Sequence, residues 1–323
     1  MSFTDFVKKV NHFGAERIPF LFLIDFEMKK PRLWKLDDID STSVLFDFNG
    51  VTNNENLTFA DSGVHLEVTP VSLSDYKNRF DRVMKHLEYG DSYLTNLTIR
   101  SEISVSSDLR ELFYKSSAKY KLLLDDGVLV FSPEIFVQIR DGKIYSFPMK
   151  GTIDATLPDA RNKLLIDPKE IAEHVTIVDL IRNDLSIVSD NVHVARFRYV
   201  DEIQTHGKKL LQVSSEVVGQ LGPNHFSDLG NIIAQLLPAG SVSGAPKPKT
   251  VEIIRQAEGV DRGYYTGVSG IFDGNSLDSG VMIRYIEKEN EKLYYRSGGG
   301  ITTQSNLEAE YQEAIDKIYV PLY

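Results

Sequence analysis

Residues 170–185 read E-I-A-E-H-V-T-I-V-D-L-I-R-N-D-L, directly behind Asp167 and Pro168. Asp-Pro is a cap followed by a first-turn residue, and Ile171, Val175, Val178 and Ile181 recur at three- and four-residue steps. The stretch is therefore predicted to be a helix. Glu170 and Glu173, three apart, fall on one face of it, where like charges repel unless something compensates them. The far end of the chain repeats the arrangement, with Glu310-Tyr311-Gln312-Glu313 and Lys317 one turn later. If the two helices face each other, four carboxylates and one ammonium converge. Hard oxygen donors of that kind suit Mg²⁺ held with several waters. Neither pair has a second His or any Cys beside it, which argues against zinc. Each pair, read alone, also fits a solvated helix face.

The two acidic helices are about 140 residues apart in sequence and meet only within one shared fold. No repeat, low-complexity tract or linker separates them, so residues 1–323 are expected to form a single domain. At 323 residues the chain is long for one domain, yet large α+β sandwiches reach that size. A hydrophobic content of 42% and a charged content of 25% are those of an ordinary globular protein. The net charge of −10 disfavours nucleic acid. It leaves room for an anionic substrate where a site metal inverts the local sign. The absence of cysteine removes disulfide and thiolate chemistry and fits the cytosol. Residues 1–10 carry no apolar signal core, and the run Ile18 to Ile24 is too short to span a bilayer. A cytoplasmic protein with no membrane partner is expected.

Periodicity predicts helices over 3–13, 73–89, 108–115, 227–237, 248–258 and 306–319. Strands are predicted over 18–26, 33–36, 43–48, 92–104, 120–124, 128–131, 135–139, 143–147, 191–199 and 209–221. Residues 264–273, 279–288 and 292–297 read as one meander. Val51 to Gly63 reads as a loop or wide hairpin connection, and Gly222-Pro223-Asn224 as the clearest break. Asp126-Gly127 and Asp141-Gly142 are hairpin turns by composition. Hairpins outnumber strand–helix alternation, so the expected class is α+β with large antiparallel sheets.

Five further places are candidates for chemistry. L-P-A-G-S-V-S-G-A-P-K (237–247) is a Gly/Ser loop entering a helix. It lacks nucleotide P-loop spacing, but its backbone N–H groups, Gly240 and Ser241 included, can bind a carboxylate. Gly298-Gly299-Gly300 follows a strand and permits close backbone approach. Arg284, read as lying in the strand V-M-I-R-Y-I (281–286), needs either an internal ion pair or a ligand carboxylate. Lys150, just past a strand, and Glu134, at the start of one, are unremarkable alone.

Together four segments resemble the chorismate-utilising enzymes, which include anthranilate, isochorismate, salicylate and aminodeoxychorismate synthases. The segments are P-M-K-G-T (148–152), E-H-V-T-I-V-D-L-I-R-N-D-L (173–185), the 237–247 loop, and S-G-G-G-I (297–301) with E-A-E-Y-Q-E-A-I-D-K (308–317). The resemblance spans about residues 70–320, with a shortened N-terminal region. It implies that family's sandwich, with antiparallel sheets packed face to face and helices outside. Lys150 is most similar to the lysine of aminodeoxychorismate synthase component 1, since anthranilate synthases typically carry Ala there.

The resemblance further implies a division of labour. Mg²⁺ would be held by Glu173 and Glu313, with Glu170 and Glu310 in support, and would bind the ring carboxylate of chorismate. Gly298, Gly299 and Gly300 would help hold that carboxylate, beside Lys317. Tyr265, Arg284 and the 240–241 backbone would hold the enolpyruvyl end. Lys150 would be the nucleophile and Glu134 the general acid. A lysine attacks only as the neutral amine, so burial is expected to lower its pKa.

The chain departs from the family pattern in places. Gln212 stands where most relatives have His, Leu94-Thr95-Asn96-Leu97 replaces a more usual Gln-Val-Asn-Leu, and Phe147 replaces a frequent Arg. With no Cys and no glutaminase motif, ammonia is expected from a separate glutamine amidotransferase subunit or from solution.

Overall fold

The computed structural model describes residues 1–55, 57, 59, 63–205 and 208–322. Among these, eight α-helices surround two antiparallel nine-stranded sheets, an α+β sandwich. The helices are α1 (Phe3–Ala15), α2 (Leu73–Tyr89), α3 (Leu109–Lys115), α4 (Ala160–Ile166), α5 (Pro168–Val188), α6 (Leu229–Leu236), α7 (Lys247–Glu258) and α8 (Leu307–Asp316). Their ends follow local chemistry. Ser72 accepts from Asp75 N at 3.1 Å to start α2, and Gly90, at φ 90°, stops it. Asp167 accepts from Glu170 N at 3.1 Å at the head of α5, and Asn306 from Ala309 N at 3.1 Å at the head of α8.

The first sheet runs Met149–Asp154, Lys208–Gln220, Lys143–Ser146, Ile135–Arg140, Leu277–Val281, Val268–Phe272, Phe20–Ile24, Arg32–Lys35. Asp190–Thr205 adds to Lys208–Gln220. The second runs Gly244–Ala245, Leu94–Val105, Lys292–Ile301, Tyr285–Glu289, Val128–Ser132, Tyr120–Leu124, Val44–Phe48, Val51–Thr52. Leu66–Thr69 adds to Leu94–Val105.

Strand alternation divides the core into layers. Leu21 and Leu23 of the first sheet meet Val44, Phe46, Leu122 and Leu124 of the second between the sheets. Phe20, Phe22 and Ile24 turn the other way, onto α1, α5 and α6. Leu45, Leu123 and Phe131 turn outward onto α3. Leu97, Ile99 and Ile301 pack under α2, α7 and α8. Slipping one strand by a residue would swap its two faces, and each large side chain so exposed forfeits about 2 kcal/mol.

Three expectations need correction. The expected meander over 264–297 is divided: Val268–Phe272 and Leu277–Val281 lie in the first sheet, Tyr285–Glu289 and Lys292–Ile301 in the second. Arg284 is therefore not in a strand. It sits at φ 52° where the chain crosses between the sheets, a left-handed backbone that cannot continue a ladder. Lys150 lies within a strand rather than past one. Pairing with the neighbouring strand slips between Met149 and Thr152, so Lys150 and Gly151 (φ 82°) form a bulge. Bulges re-aim side chains, and this one turns Lys150. Helix α4 lies outside the helices that periodicity predicts. Of the predicted 51–63 loop, 51–52 is a short strand, and residues 56, 58 and 60–62 lie outside the described residues.

Candidate active site

A cavity of about 1210 Å³ opens where α5, α8, the Lys150 bulge, the 239–242 loop, the 283–284 crossing and the three-glycine strand converge. Lys150, Glu134, Glu170, Glu173, Glu310, Glu313, Tyr265, Arg284, Gly240, Ser241, Gly298, Gly299, Gly300 and Lys317 all line it. The two acidic helices thus face one space, and each acidic pair has a lysine. Lys150 Nζ stands 2.8 Å from Glu173 Oε2, and Lys317 Nζ 2.6 Å from Glu313 Oε1. Lys317 Nζ also donates to Gly298 O at 2.9 Å, which ties α8 to the glycine strand. Ser305 Oγ donates to Glu310 Oε1 at 2.7 Å.

The glycines serve different ends. A Cβ on Gly299 would stand 3.3 Å from Glu313 Oε1, 3.6 Å from Glu310 Oε2 and 3.7 Å from Lys317 Nζ. Its bare backbone lets that charged cluster lie against the strand. A Cβ on Gly298 would meet Leu97 O at 2.3 Å, so packing against the neighbouring strand also requires glycine there.

Lys150 departs from expectation in its ionisation. Burial works to lower its pKa, but Glu173 first, then Glu313 and Glu170, outweigh it, and the net shift is upward. The unliganded lysine is an ammonium. Glu134 is pushed the other way. Its burial raises the carboxyl pKa against the opposing pull of Ser241, Lys317, Arg284 and Lys150, so it keeps its proton to higher pH than an ordinary glutamate. Tyr265 is buried against Tyr285, with ring centroids 5.8 Å apart, and burial pushes its phenol up to about 12.

Arg284 donates from Nη1 to Lys317 O at 3.4 Å and lies over the Tyr319 ring at 4.7 Å. No carboxylate among the described residues pairs with it. Its guanidinium is also one of the charges that act on Glu134.

Residues outside the expected set hold these groups in place. Lys247 Nζ donates to Asp184 Oδ2 at 2.9 Å and to Leu236 O at 3.0 Å, pinning the 237–247 loop to α5. Arg262, 1% exposed, is paired with Glu258 and donates to Val242 O at 2.9 Å and Asn96 O at 2.8 Å. It thereby fixes two segments of the cavity wall. Nothing local in Asp261-Arg262-Gly263 marks this, since that tripeptide reads as a surface turn. Gln212 also lines the cavity, opposite Thr152.

His174, beside Glu173, turns instead into the core. It is fully buried, with Nε2 2.7 Å from Ser215 Oγ, and burial, aided by Arg198, lowers its pKa to about 4. The unfolded chain therefore binds a proton near pH 6.5 that the folded chain refuses until about pH 4. Stability is complete above the unfolded value and drains away as pH falls through that window. Wild type is expected to lose about 2 kcal/mol more than His174→Gln between pH 7.5 and pH 5 in urea unfolding. Parallel losses would remove the assignment.

Among the described residues, no three His, Asp or Glu side chains cluster tightly enough to hold a metal by themselves. Mg²⁺ does not require that, because it takes one or two carboxylates and completes its shell with water or substrate oxygens. The Gly299 cradle beside Glu310 and Glu313, and the all-oxygen chemistry of the four glutamates, fit such an ion.

Over residues 27–323 the chain matches the family described as chorismate binding enzyme. It is 49% identical over 319 residues to a Haemophilus influenzae protein named "Uncharacterized PabA-like protein", covering 98% of this chain and 96% of that one. The aminodeoxychorismate synthase component 1 of Klebsiella aerogenes is 33% identical over 264 residues. That match covers 77% of this chain and 57% of the relative, so the chain spans little more than half of that protein's length. The menaquinone-specific isochorismate synthase of Escherichia coli has the same fold, with a TM-score of 0.73 at 15% identity over 97% of this chain and 80% of that one. No helix among the described residues is long and apolar enough to cross a membrane.

Proposed function

Because the chain belongs to the chorismate binding enzyme family, we propose that it is an aminodeoxychorismate synthase of the component 1 type. In this reading it converts chorismate and ammonia to 4-amino-4-deoxychorismate and water. One observation carries the reading: Lys150, aimed by a bulge, shares a cavity with a buried acid, Glu134, and with both acidic helices.

Chorismate is a dianion with one hydroxyl, and hydroxide is a poor leaving group. Lys150 Nζ adds at ring C2 as the double bonds shift and the C4–O bond breaks. Glu134 supplies the proton with which that oxygen leaves as water. Ammonia then adds at C4, the double bonds shift back, and the C2–N bond to Lys150 breaks. One C–O bond is exchanged for one C–N bond, with no change of oxidation state. Lys150 must shed its proton before attack, and Glu173, at 2.8 Å, is the acceptor within hydrogen-bond reach. Arg284 holds one substrate carboxylate, and Tyr265 closes that side of the cavity. Glu173 and Glu313 would hold Mg²⁺, with Glu170 and Glu310 behind them. When bound, Mg²⁺ supplies positive charge against the substrate's carboxylate. Ammonia would come from a glutamine amidotransferase partner or from free ammonium.

The test is a product assay with chorismate, Mg²⁺ and ammonium, followed by an added aminodeoxychorismate lyase. p-Aminobenzoate is expected. Anthranilate or isochorismate would replace this reading with another chorismate chemistry, and untouched chorismate would make the chain a silent homologue. Glu313→Ala, which leaves the Lys150–Glu173 pair intact, is expected to raise the Mg²⁺ needed for half-maximal turnover about 10- to 100-fold. An unchanged Mg²⁺ titration would strike Glu313 from the ligand set.

A further inference from the structure

We infer that Ser241 is a positioning residue for Glu134, acting through its side chain rather than only through the loop backbone. The inference rests on the reading of Glu134 as the proton donor. Ser241 Oγ donates to Glu134 Oε1 at 2.5 Å, joining two cavity residues 107 positions apart in the chain. With Oε1 occupied as an acceptor, the acid proton belongs on Oε2. A carboxylic acid can carry its proton on either oxygen, and one of the two must face the leaving hydroxyl. The serine makes that choice before substrate arrives.

Both partners are held from behind. Glu134 N donates to Ser132 Oγ at 3.1 Å, and Glu134 O accepts from Val281 N at 3.1 Å. Ser241 lies in the tight turn Gly240–Val242. Arg262 holds Val242 O at 2.9 Å, and Ser243 Oγ holds Ala239 O at 2.9 Å. A Cβ on Gly240 would stand 2.7 Å from Asp184 Oδ2, so that wall is closely packed. The buried Arg262–Glu258 pair thus fixes a loop whose serine fixes the acid.

After proton transfer the same bond stabilises the carboxylate. The charged groups that act on Glu134 are Lys317 at the end of α8, Arg284 at the sheet crossing and Lys150 on the bulge. All three remain when Ser241 is changed. Removing the hydroxyl takes away one donor to the ionised form, so Glu134 should hold its proton to higher pH.

The experiment compares wild type, Ser241→Ala and Ser241→Thr in two ways. The first is the pH profile of kcat and KM for ammonia-dependent turnover. The second is a carbon-13 carboxyl titration of Glu134, assigned with Glu134→Gln, in the protein without substrate. Ser241→Ala is expected to lower kcat about 10- to 100-fold, with little change in KM. The descending limb of its profile and the Glu134 titration should both move to higher pH. Ser241→Thr, which keeps a hydroxyl, should restore both. An unmoved Glu134 titration in Ser241→Ala overturns the inference. So does a rise in KM with the profile unmoved, which would make Ser241 a substrate contact only. If wild type forms no amino product, the functional reading fails by itself, and the carboxyl titration still decides the Ser241–Glu134 bond.

Discussion

Lys150→Ala is expected to lower ammonia-dependent turnover of chorismate about a thousandfold or more, because in the proposed scheme it removes the group that forms and later releases the covalent bond. The fold should survive. The Lys150 side chain is 36% exposed and that of Glu173 21%, and a partly solvated pair of this kind is worth about 1 kcal/mol or less. A melting temperature within a few degrees of wild type would separate lost chemistry from lost structure. Binding should be little affected, since Arg284 and the glycine strand remain. Full turnover in Lys150→Ala would show that ammonia attacks directly and would end the covalent scheme.

Glu134→Gln should cost about 10²- to 10⁴-fold in kcat, the usual span for losing a general acid. Glutamine keeps the shape and can still accept from Ser241, but its amide has no acidic proton for the leaving oxygen. The variant should also lose the descending limb of the pH profile that Glu134 sets. Its stability should move in the opposite direction to its activity. Burial raises the Glu134 pKa, so the folded wild type is penalised as pH rises through that raised value and the buried carboxyl must ionise. Glutamine carries no such penalty, so Glu134→Gln should gain stability over wild type with rising pH. Denaturant melts at acid and alkaline pH, read beside the kinetics, check both halves. Unchanged kcat would remove Glu134 as the acid.

The reversed ionisation of Lys150 has a physical cause with a consequence for mechanism. Burial alone would favour a neutral amine, but three glutamates face the lysine and hold its proton. In the proposed scheme that same charge keeps Lys150 an ammonium, which cannot attack until the charge is met. The sequence contains both facts, the lysine and the glutamates, yet not their separation. Only folding brings Glu173 to 2.8 Å and turns an expected downward shift into an upward one.

Much of the architecture is carried by short-range pattern. The caps at Ser72, Asp167 and Asn306, the stop at Gly90, and the period of α5 are readable because a helix end is satisfied by residues three or four away. The two E-x-x-E faces are readable for the same reason. What could not be read depends on partners far along the chain. The crossing at Arg284 looks like continuous strand, because both neighbours are apolar in either sheet. The Lys150 bulge exists only through a slipped register with a strand some sixty residues later. The Arg262 clamp hides in a turn-like tripeptide, since its carbonyl partners come from Asn96 and Val242.

By itself, then, the sequence determined seven of the eight helices described, the antiparallel α+β class and the hard oxygen donors, while the candidate amine and acid stood out only through the family resemblance. The tertiary structure decided which of them share a cavity, which way Lys150 and His174 turn, and which protons each group keeps. Local hydrogen bonds and periodicity act over a few residues and leave their mark in the chain. Register, burial and Coulomb interaction act between segments that only the fold makes neighbours.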